Sequence, residues 1–112
     1  MKESAIESAL VRHAKKLGIY TAKFTSPSRR GVPDRIFIRD GVVLFLELKA
    51  PGEKPTELQM HEMRVLAIHD VMVMWTDNIE IGKKLLDALS CGTLAEDILR
   101  DAKTLKVLAV AT

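Results

Sequence analysis

The chain has 112 residues, of which 47% are hydrophobic and 29% charged, with a net charge of +2, an ordinary globular composition. This length corresponds to one domain with one core, so we expect residues 1–112 to form a single domain. The single cysteine excludes an internal disulfide, and no apolar run approaches the roughly 18–20 residues of a membrane span or forms a signal peptide, so we expect a cytoplasmic protein.

The N-terminal elements are a helix, a strand and a basic loop. Residues 3–17 place apolar side chains at helical spacing, with glutamates near the first turn and lysines near the last, and Gly18 ends the helix. Residues 19–24 (IYTAKF) predict a strand. Residues 26–31 (SPSRRG) predict a loop, because proline and glycine interrupt regular structure there.

Two further strands form a predicted hairpin. Residues 35–39 and 42–49 flank Asp40-Gly41, a pair typical of a type I′ turn, in which both central residues have positive φ. Such a turn determines the register of the two strands. Counting outward from it places Asp34 directly opposite Glu47.

The second half of the chain predicts a helix at residues 56–69, with Leu58, Met63 and Leu66 facing inward. A buried strand follows at residues 71–75 and a helix at residues 78–89, which ends close to Cys91, expected to be half-buried. Residues 93–103 predict another helix, and residues 106–111 are open between a strand and a tail. The order αβββαβα predicts an α/β fold with a mixed sheet flanked by helices.

Three charged side chains converge at the end of the apolar hairpin. Asp34 and Glu47 face each other at a Cβ separation of roughly 5 Å, and Lys49 shares their face because side chains alternate along a strand. Buried charges persist when they are paired or bind a metal ion, and two facing carboxylates favour a hard cation such as Mg²⁺, Mn²⁺ or Ca²⁺. With Lys49 to stabilise developing negative charge, such a site suits phosphodiester hydrolysis.

The ordered motifs resemble the PD-(D/E)XK nuclease signature, and the fuller pattern is similar to the virus-type replication-repair nuclease (VRR-NUC) family within it. That family has a glutamate in an early helix, a Gly-x-Pro-Asp motif, a Glu-x-Lys strand and a glutamine that begins the next helix. The corresponding residues are Glu7, Gly31-Val32-Pro33-Asp34, Glu47-Leu48-Lys49 and Gln59. The resemblance spans about residues 3–90 and assigns nothing to the C-terminal residues 91–112.

The resemblance implies a restriction-endonuclease-like core and a metal-dependent DNA endonuclease. Asp34, Glu47 and the backbone carbonyl of Leu48 would bind Mg²⁺ or Mn²⁺, with Glu7 as a further carboxylate. Lys49 would be the catalytic lysine, and Gln59 would support the site.

Two of these assignments have alternatives within the sequence. Thr56 to Gln59 also forms a capping-box pattern, which would give Gln59 a role in starting a helix. Glu3, one turn before Glu7, competes for the same role, although Glu7 lies nearer the predicted buried face.

Basic residues are concentrated before the Pro33-Asp34 motif. From Arg12 to Arg35 the chain has seven basic residues and one acidic residue. Arg29 and Arg30, with Lys23 as a further candidate, are predicted to contact DNA phosphates. A mobile basic loop without that role is the alternative.

Stand-alone members of the family resemble Holliday-junction resolvases, so the resemblance implies a homodimer from a phage or bacterium that cuts branched DNA such as four-way junctions. The alternatives are a nicking or restriction-type nuclease on ordinary duplex and a DNA-binding module without catalysis. A further alternative is a structural protein whose charges form a solvated ion-pair network, because a Glu-x-Lys triplet alone is common by chance.

Overall fold

The computed structural model describes residues 1–93, and the elements within them follow the predicted order αβββαβα. Each element lies within two residues of its predicted bounds, so the α/β prediction is confirmed. The predicted helix after Thr93 and the predicted strand or tail at residues 106–111 lie outside the described residues. The elements are α1 (Glu3–Lys16), β1 (Tyr20–Lys23), β2 (Arg35–Arg39), β3 (Val42–Leu48), α2 (Glu57–Ile68), β4 (Met72–Thr76) and α3 (Ile79–Cys91).

The four strands of the described region form one mixed sheet in the order β1-β2-β3-β4. The first three strands run antiparallel to their neighbours, and β4 runs parallel to β3. Asp40 and Gly41 have φ values of 50° and 81°, as a type I′ turn requires, and the pairing ends with Arg35 opposite Leu46. The predicted register of the hairpin is therefore confirmed.

The helices cover the two faces of the sheet unequally. The larger core joins α1 and α3 to one face, through Leu44, Leu46 and Leu48 of β3. A smaller cluster joins Met63 of α2 to Val73 of β4 on the other face. Because side chains alternate along a strand, Glu47 lies on the face that α2 covers.

Two burial predictions are wrong. Leu58 does not enter the core but is 46% exposed, because the first turn of α2 lies against the loop before β2, where the Leu58 side chain contacts Gly31. Cys91 does end a helix, but it is exposed rather than half-buried. Met63 is fully buried, as expected, and Leu66 is partly buried against the smaller cluster.

No helix in residues 1–93 is long and apolar enough to cross a membrane.

Candidate active site

The carboxyl group of Glu47 lies inside the protein, although it ends an apolar strand. The residue is 1% exposed. Its Oε2 accepts a hydrogen bond of 3.0 Å from Nε2 of Gln59 and lies 3.6 Å from Nζ of Lys49. Its Oε1 is buried and has no hydrogen-bond partner in the part of the chain that the structure describes. One carboxylate oxygen is thus bound by protein groups, and the other is available to bind a further group.

The environment of Glu47 disfavours a lone negative charge. Burial raises its pKa to about 8, and Asp34 adds to the rise, while Lys49 opposes it. The ordinary pKa of a glutamate is 4.5. The carboxyl group would therefore hold a proton at neutral pH unless additional positive charge stabilised the anion.

Asp34 lies just before β2, at the same edge of the sheet. Its Oδ2 accepts a hydrogen bond of 2.9 Å from the backbone N–H of Leu48, and its backbone carbonyl accepts one of 2.8 Å from Phe24. Burial raises the pKa of Asp34, although the Leu48 N–H lowers it. Because the strand ladder ends at Arg35, Asp34 is one step beyond the last pair and reaches across to the strand that carries Glu47.

Lys49 supplies the positive charge nearest to these carboxyl groups. Its side chain is 12% exposed, and its ammonium group lowers the pKa of both Asp34 and Glu47. Its backbone N–H donates to Thr76 at 3.0 Å, which extends the pairing of β3 with β4. The predicted convergence of two carboxylates and one ammonium is present.

Gln59 makes both of the contacts that the sequence left as alternatives. Its backbone N–H donates to Oγ1 of Thr56, and its side-chain Oε1 accepts from the Thr56 N–H at 2.9 Å, which completes a capping box. The amide nitrogen of the same side chain donates to Glu47. The start of α2 and the orientation of Glu47 are therefore coupled through one residue.

Comparisons with known proteins find a phage relative and a solved domain of the same fold. The sequence matches no protein-family model. It is 47% identical over 77 residues to "Putative nuclease p44" of Acyrthosiphon pisum secondary endosymbiont phage 1, an alignment that covers 66% of this chain and 83% of that protein. A solved VRR_NUC domain has the same fold, with a TM-score of 0.71, 24% identity, and coverage of 78% of this chain and 96% of that chain. The chain belongs to the same family as this phage protein, and it has the fold of a VRR_NUC domain.

The first helix presents two glutamates one turn apart. Oε2 of Glu7 lies 2.8 Å from Nη1 of Arg35, so this carboxylate is bound to an arginine. Glu3 has no ion pair or hydrogen bond from its side chain within residues 1–93. Burial raises the pKa of Glu3, Asp34 raises it further and Lys49 lowers it. Both glutamates are close enough to affect the site: the charge of Glu7 raises the pKa of Asp34, and the charge of Glu3 raises the pKa of Glu47.

The donor set fits a hard divalent cation. The described residues contain no group of three or more His, Cys, Asp or Glu side chains placed to hold a metal ion. Asp34 and Glu47 nevertheless provide two carboxylates, and Glu47 has a buried oxygen without a protein donor. Mg²⁺ keeps several waters and is commonly bound by one or two carboxylates, so two such ligands meet its requirement.

The residues predicted to contact DNA differ in their surroundings. Lys23 and Arg30 are exposed, and neither has an ion pair in the described part of the chain. Nε of Arg29 lies 2.8 Å from Oε1 of Glu62, whose side chain is only 7% exposed. Glu62 and Arg35 were missed by sequence reasoning, since Arg29 and Glu62 are 33 residues apart and no local pattern joins them.

Proposed function

We propose that this protein is a metal-dependent DNA endonuclease of the VRR-NUC type that hydrolyses phosphodiester bonds. The observation that carries the proposal is the buried Glu47 carboxyl group, with one oxygen bound by Gln59 and Lys49 and the other without a donor. A buried carboxylate oxygen without a donor is costly, and a bound cation would remove that cost. The name of the phage relative, a nuclease, supports the same activity.

The roles of the residues follow from their contacts. Asp34, Glu47 and the backbone carbonyl of Leu48 would hold Mg²⁺ or Mn²⁺, which supplies positive charge beside the scissile phosphate. The Leu48 N–H orients Asp34, and Gln59 orients Glu47. The Lys49 ammonium would stabilise negative charge on the phosphate or orient the attacking water. Glu7 acts at the margin of the site, bound to Arg35.

The proposed substrate is branched DNA, such as a four-way junction, cut by a homodimer in a bacterium or phage-infected cell. Two symmetric cuts need two active sites, and a two-fold dimer supplies them. The phage origin of the relative supports this setting. Lys23 and Arg30, exposed near the site, would contact DNA phosphates.

The deciding experiment compares labelled four-way junction, flapped or nicked duplex and linear duplex, each with Mg²⁺, Mn²⁺ or EDTA. Lys49→Ala should abolish cleavage and leave DNA binding intact, because the lysine acts on charge that develops during the reaction. Lys54→Ala is the matched control, since Lys54 is an exposed lysine in the loop after the site and its replacement should leave cleavage at the wild-type level.

The outcomes separate the candidate functions. Symmetric, metal-dependent cutting of the junction alone would establish a junction endonuclease. Equal cutting of linear duplex would keep the nuclease and reject the structural selectivity. Binding without cutting of any substrate in either metal would favour a non-catalytic DNA-binding module. If the protein neither binds nor cuts DNA, a structural role remains for the charges.

A further inference from the structure

The loop before the Gly31-Val32-Pro33-Asp34 motif is attached to α2 at two points. A Cβ on Gly31 would lie 2.9 Å from Cγ and 3.1 Å from the backbone oxygen of Leu58, so the loop backbone rests directly on the first turn of the helix. One turn further on, Glu62 binds Arg29. Leu58 and Glu62 are four residues apart and share one face of α2, so the two attachments lie side by side.

The ion pair is asymmetric in its burial. The Glu62 side chain is 7% exposed, whereas the Arg29 side chain is 56% exposed. Nε of Arg29 lies 2.8 and 2.9 Å from the two carboxylate oxygens. Loss of the ion pair would cost more free energy at the buried Glu62 carboxylate than at the exposed Arg29, because the cost of an unpaired charge grows with burial. Glu62 therefore keeps Arg29 on the helix.

The same helix carries Gln59, which binds Glu47. The α2 helix thus contacts one metal-binding candidate directly, through Gln59, and holds the segment that leads to the other, Asp34, through Glu62 and Leu58. Arg30, adjacent to Arg29, is exposed and has no ion pair or hydrogen bond from its side chain within residues 1–93. Arg29 is therefore ion-paired, whereas its neighbour Arg30 is exposed and unpaired within residues 1–93.

We infer that Glu62 is a positioning residue: by holding Arg29 against α2 it fixes the loop that places Asp34 in the site and leaves Arg30 as the arginine that meets the DNA backbone. The inference rests on the proposed nuclease function. It gives Arg29 the role of holding the loop on α2 and Arg30 the role of contacting the DNA backbone.

Thermal unfolding tests the attachment without any DNA. Arg29→Gln leaves the buried Glu62 without a cation and should lower Tm by roughly 5–10 °C. Glu62→Gln frees an exposed arginine and should lower Tm less. The double variant should be more stable than Arg29→Gln, since it removes the uncompensated charge. Arg30→Gln is the matched control and should leave Tm unchanged. Equal Tm values for Arg29→Gln and Arg30→Gln would overturn the attachment.

Binding and kinetics test the division of roles. Without metal, Arg30→Gln should reduce the slope of log binding constant against log salt by about 0.9, the effect of one phosphate contact on duplex DNA. Glu62→Gln should leave that slope unchanged or steeper, because it frees a cation. With metal, Glu62→Gln should lower kcat on the order of tenfold with little change in KM, since Asp34 is misplaced while binding is kept. Arg29→Lys, which can still pair with Glu62, should retain the wild-type kcat.

A reduction of the salt slope in Arg29→Gln equal to that in Arg30→Gln would show that Arg29 contacts phosphate, and the inference would be wrong. An unchanged kcat in Glu62→Gln would also reject it. Failure of the wild type to bind any DNA would reject the nuclease proposal and the role of Arg30. The Tm series would then still report on the attachment of the loop, so the two failures are distinguishable.

Discussion

At the scale of single residues, the most informative atom is Oε1 of Glu47. The sequence places a glutamate at the end of an apolar strand, and the structure leaves one of its oxygens buried without a donor in the described part of the chain. The pKa of about 8 follows chiefly from burial, with Asp34 contributing. The burial that makes the Glu47 anion unfavourable in the metal-free protein thus also makes this carboxylate suited to bind a cation.

The pH dependence of stability tests this conclusion. In EDTA the unfolded chain loses the Glu47 proton near pH 4.5 and the folded protein near pH 8, so the unfolded state binds fewer protons between these values. Stability should therefore fall as pH rises through this window, by at most about 1.4 kcal/mol for each pH unit crossed. Asp34 and Glu3, whose pKa values are also raised, should add to the decline.

The measurement is urea unfolding from pH 5 to pH 9. Glu47→Gln should be more stable than wild type at pH 8 and should flatten the decline. Glu57→Gln, which removes an exposed glutamate from α2, should not flatten it. Mg²⁺ or Mn²⁺ should stabilise the wild type at pH 8 and have no such effect on Glu47→Gln. Parallel stability curves for wild type and Glu47→Gln would contradict the assignment.

At the scale of elements, the N-terminal halves of two helices add polar contacts at or beside the site. The Thr56–Gln59 box begins α2, and the same Gln59 holds Glu47. The first helix contributes Glu7, which binds Arg35 of β2 and so attaches α1 to the sheet. Both helices are therefore joined to the sheet by a polar contact as well as by an apolar face.

Two substitutions separate the two roles of Gln59. Thr56→Ala removes the cap but leaves Gln59 on Glu47, so it should cost about 1 kcal/mol of stability and retain cleavage. Gln59→Glu keeps a side chain able to complete a capping box but places a second carboxylate against Glu47. Cleavage should fall sharply while the helix is retained. Urea unfolding and a cleavage assay give the two readouts, and full activity in Gln59→Glu would contradict the role in the site.

The two glutamates of α1 should respond differently to neutralisation. Glu7→Gln weakens the ion pair of Arg35, whose side chain is 11% exposed, and should cost about 1–3 kcal/mol of stability. Glu3→Gln removes a charge that Asp34 and burial disfavour, so it should leave stability unchanged or higher. Urea unfolding of the two variants in EDTA provides the comparison. A larger loss in Glu3→Gln would reverse the assignment of which glutamate is bound.

At the scale of the whole molecule, the site is assembled where the β2–β3 hairpin, the loop before it and α2 meet. Gly31 lies at that junction with a φ of 80° and almost no space for a Cβ. Gly41, in the hairpin turn, has a φ of 81°, and a Cβ added there would meet open space out to 4 Å. The two glycines share a backbone requirement and differ in tertiary contact.

This difference gives a matched pair of substitutions. Gly41→Ala should cost about 1 kcal/mol, the usual penalty for a Cβ in the left-handed region. Gly31→Ala carries the same penalty plus the clash with Leu58, roughly 1–3 kcal/mol more, and should also reduce cleavage because it displaces Asp34. Urea unfolding and the cleavage assay report the two effects. Equal stability and equal activity of the two variants would contradict the close packing of the loop on α2.

The sequence by itself determined the elements of residues 1–93, the hairpin register and the edge of the sheet where Asp34, Glu47 and Lys49 meet. These depend on local chemistry: apolar periodicity, a turn that requires positive φ at Asp40 and Gly41, and alternation along a strand that puts Glu47 and Lys49 on one face. The resemblance to VRR-NUC domains, whose fold this chain has, followed from the same residues, since the Gly-x-Pro-Asp and Glu-x-Lys motifs are contiguous in sequence.

The tertiary structure alone decided which charges are paired and where the Leu58 side chain lies. Leu58 lies on the Gly31 loop rather than in the core, Arg29 binds Glu62, and Glu7 binds Arg35. Each of these contacts joins residues far apart in the sequence, so no local pattern encodes it. The physical reason is that the pairing of a charge depends on which neighbours folding brings within a few ångströms and on how far it removes them from water.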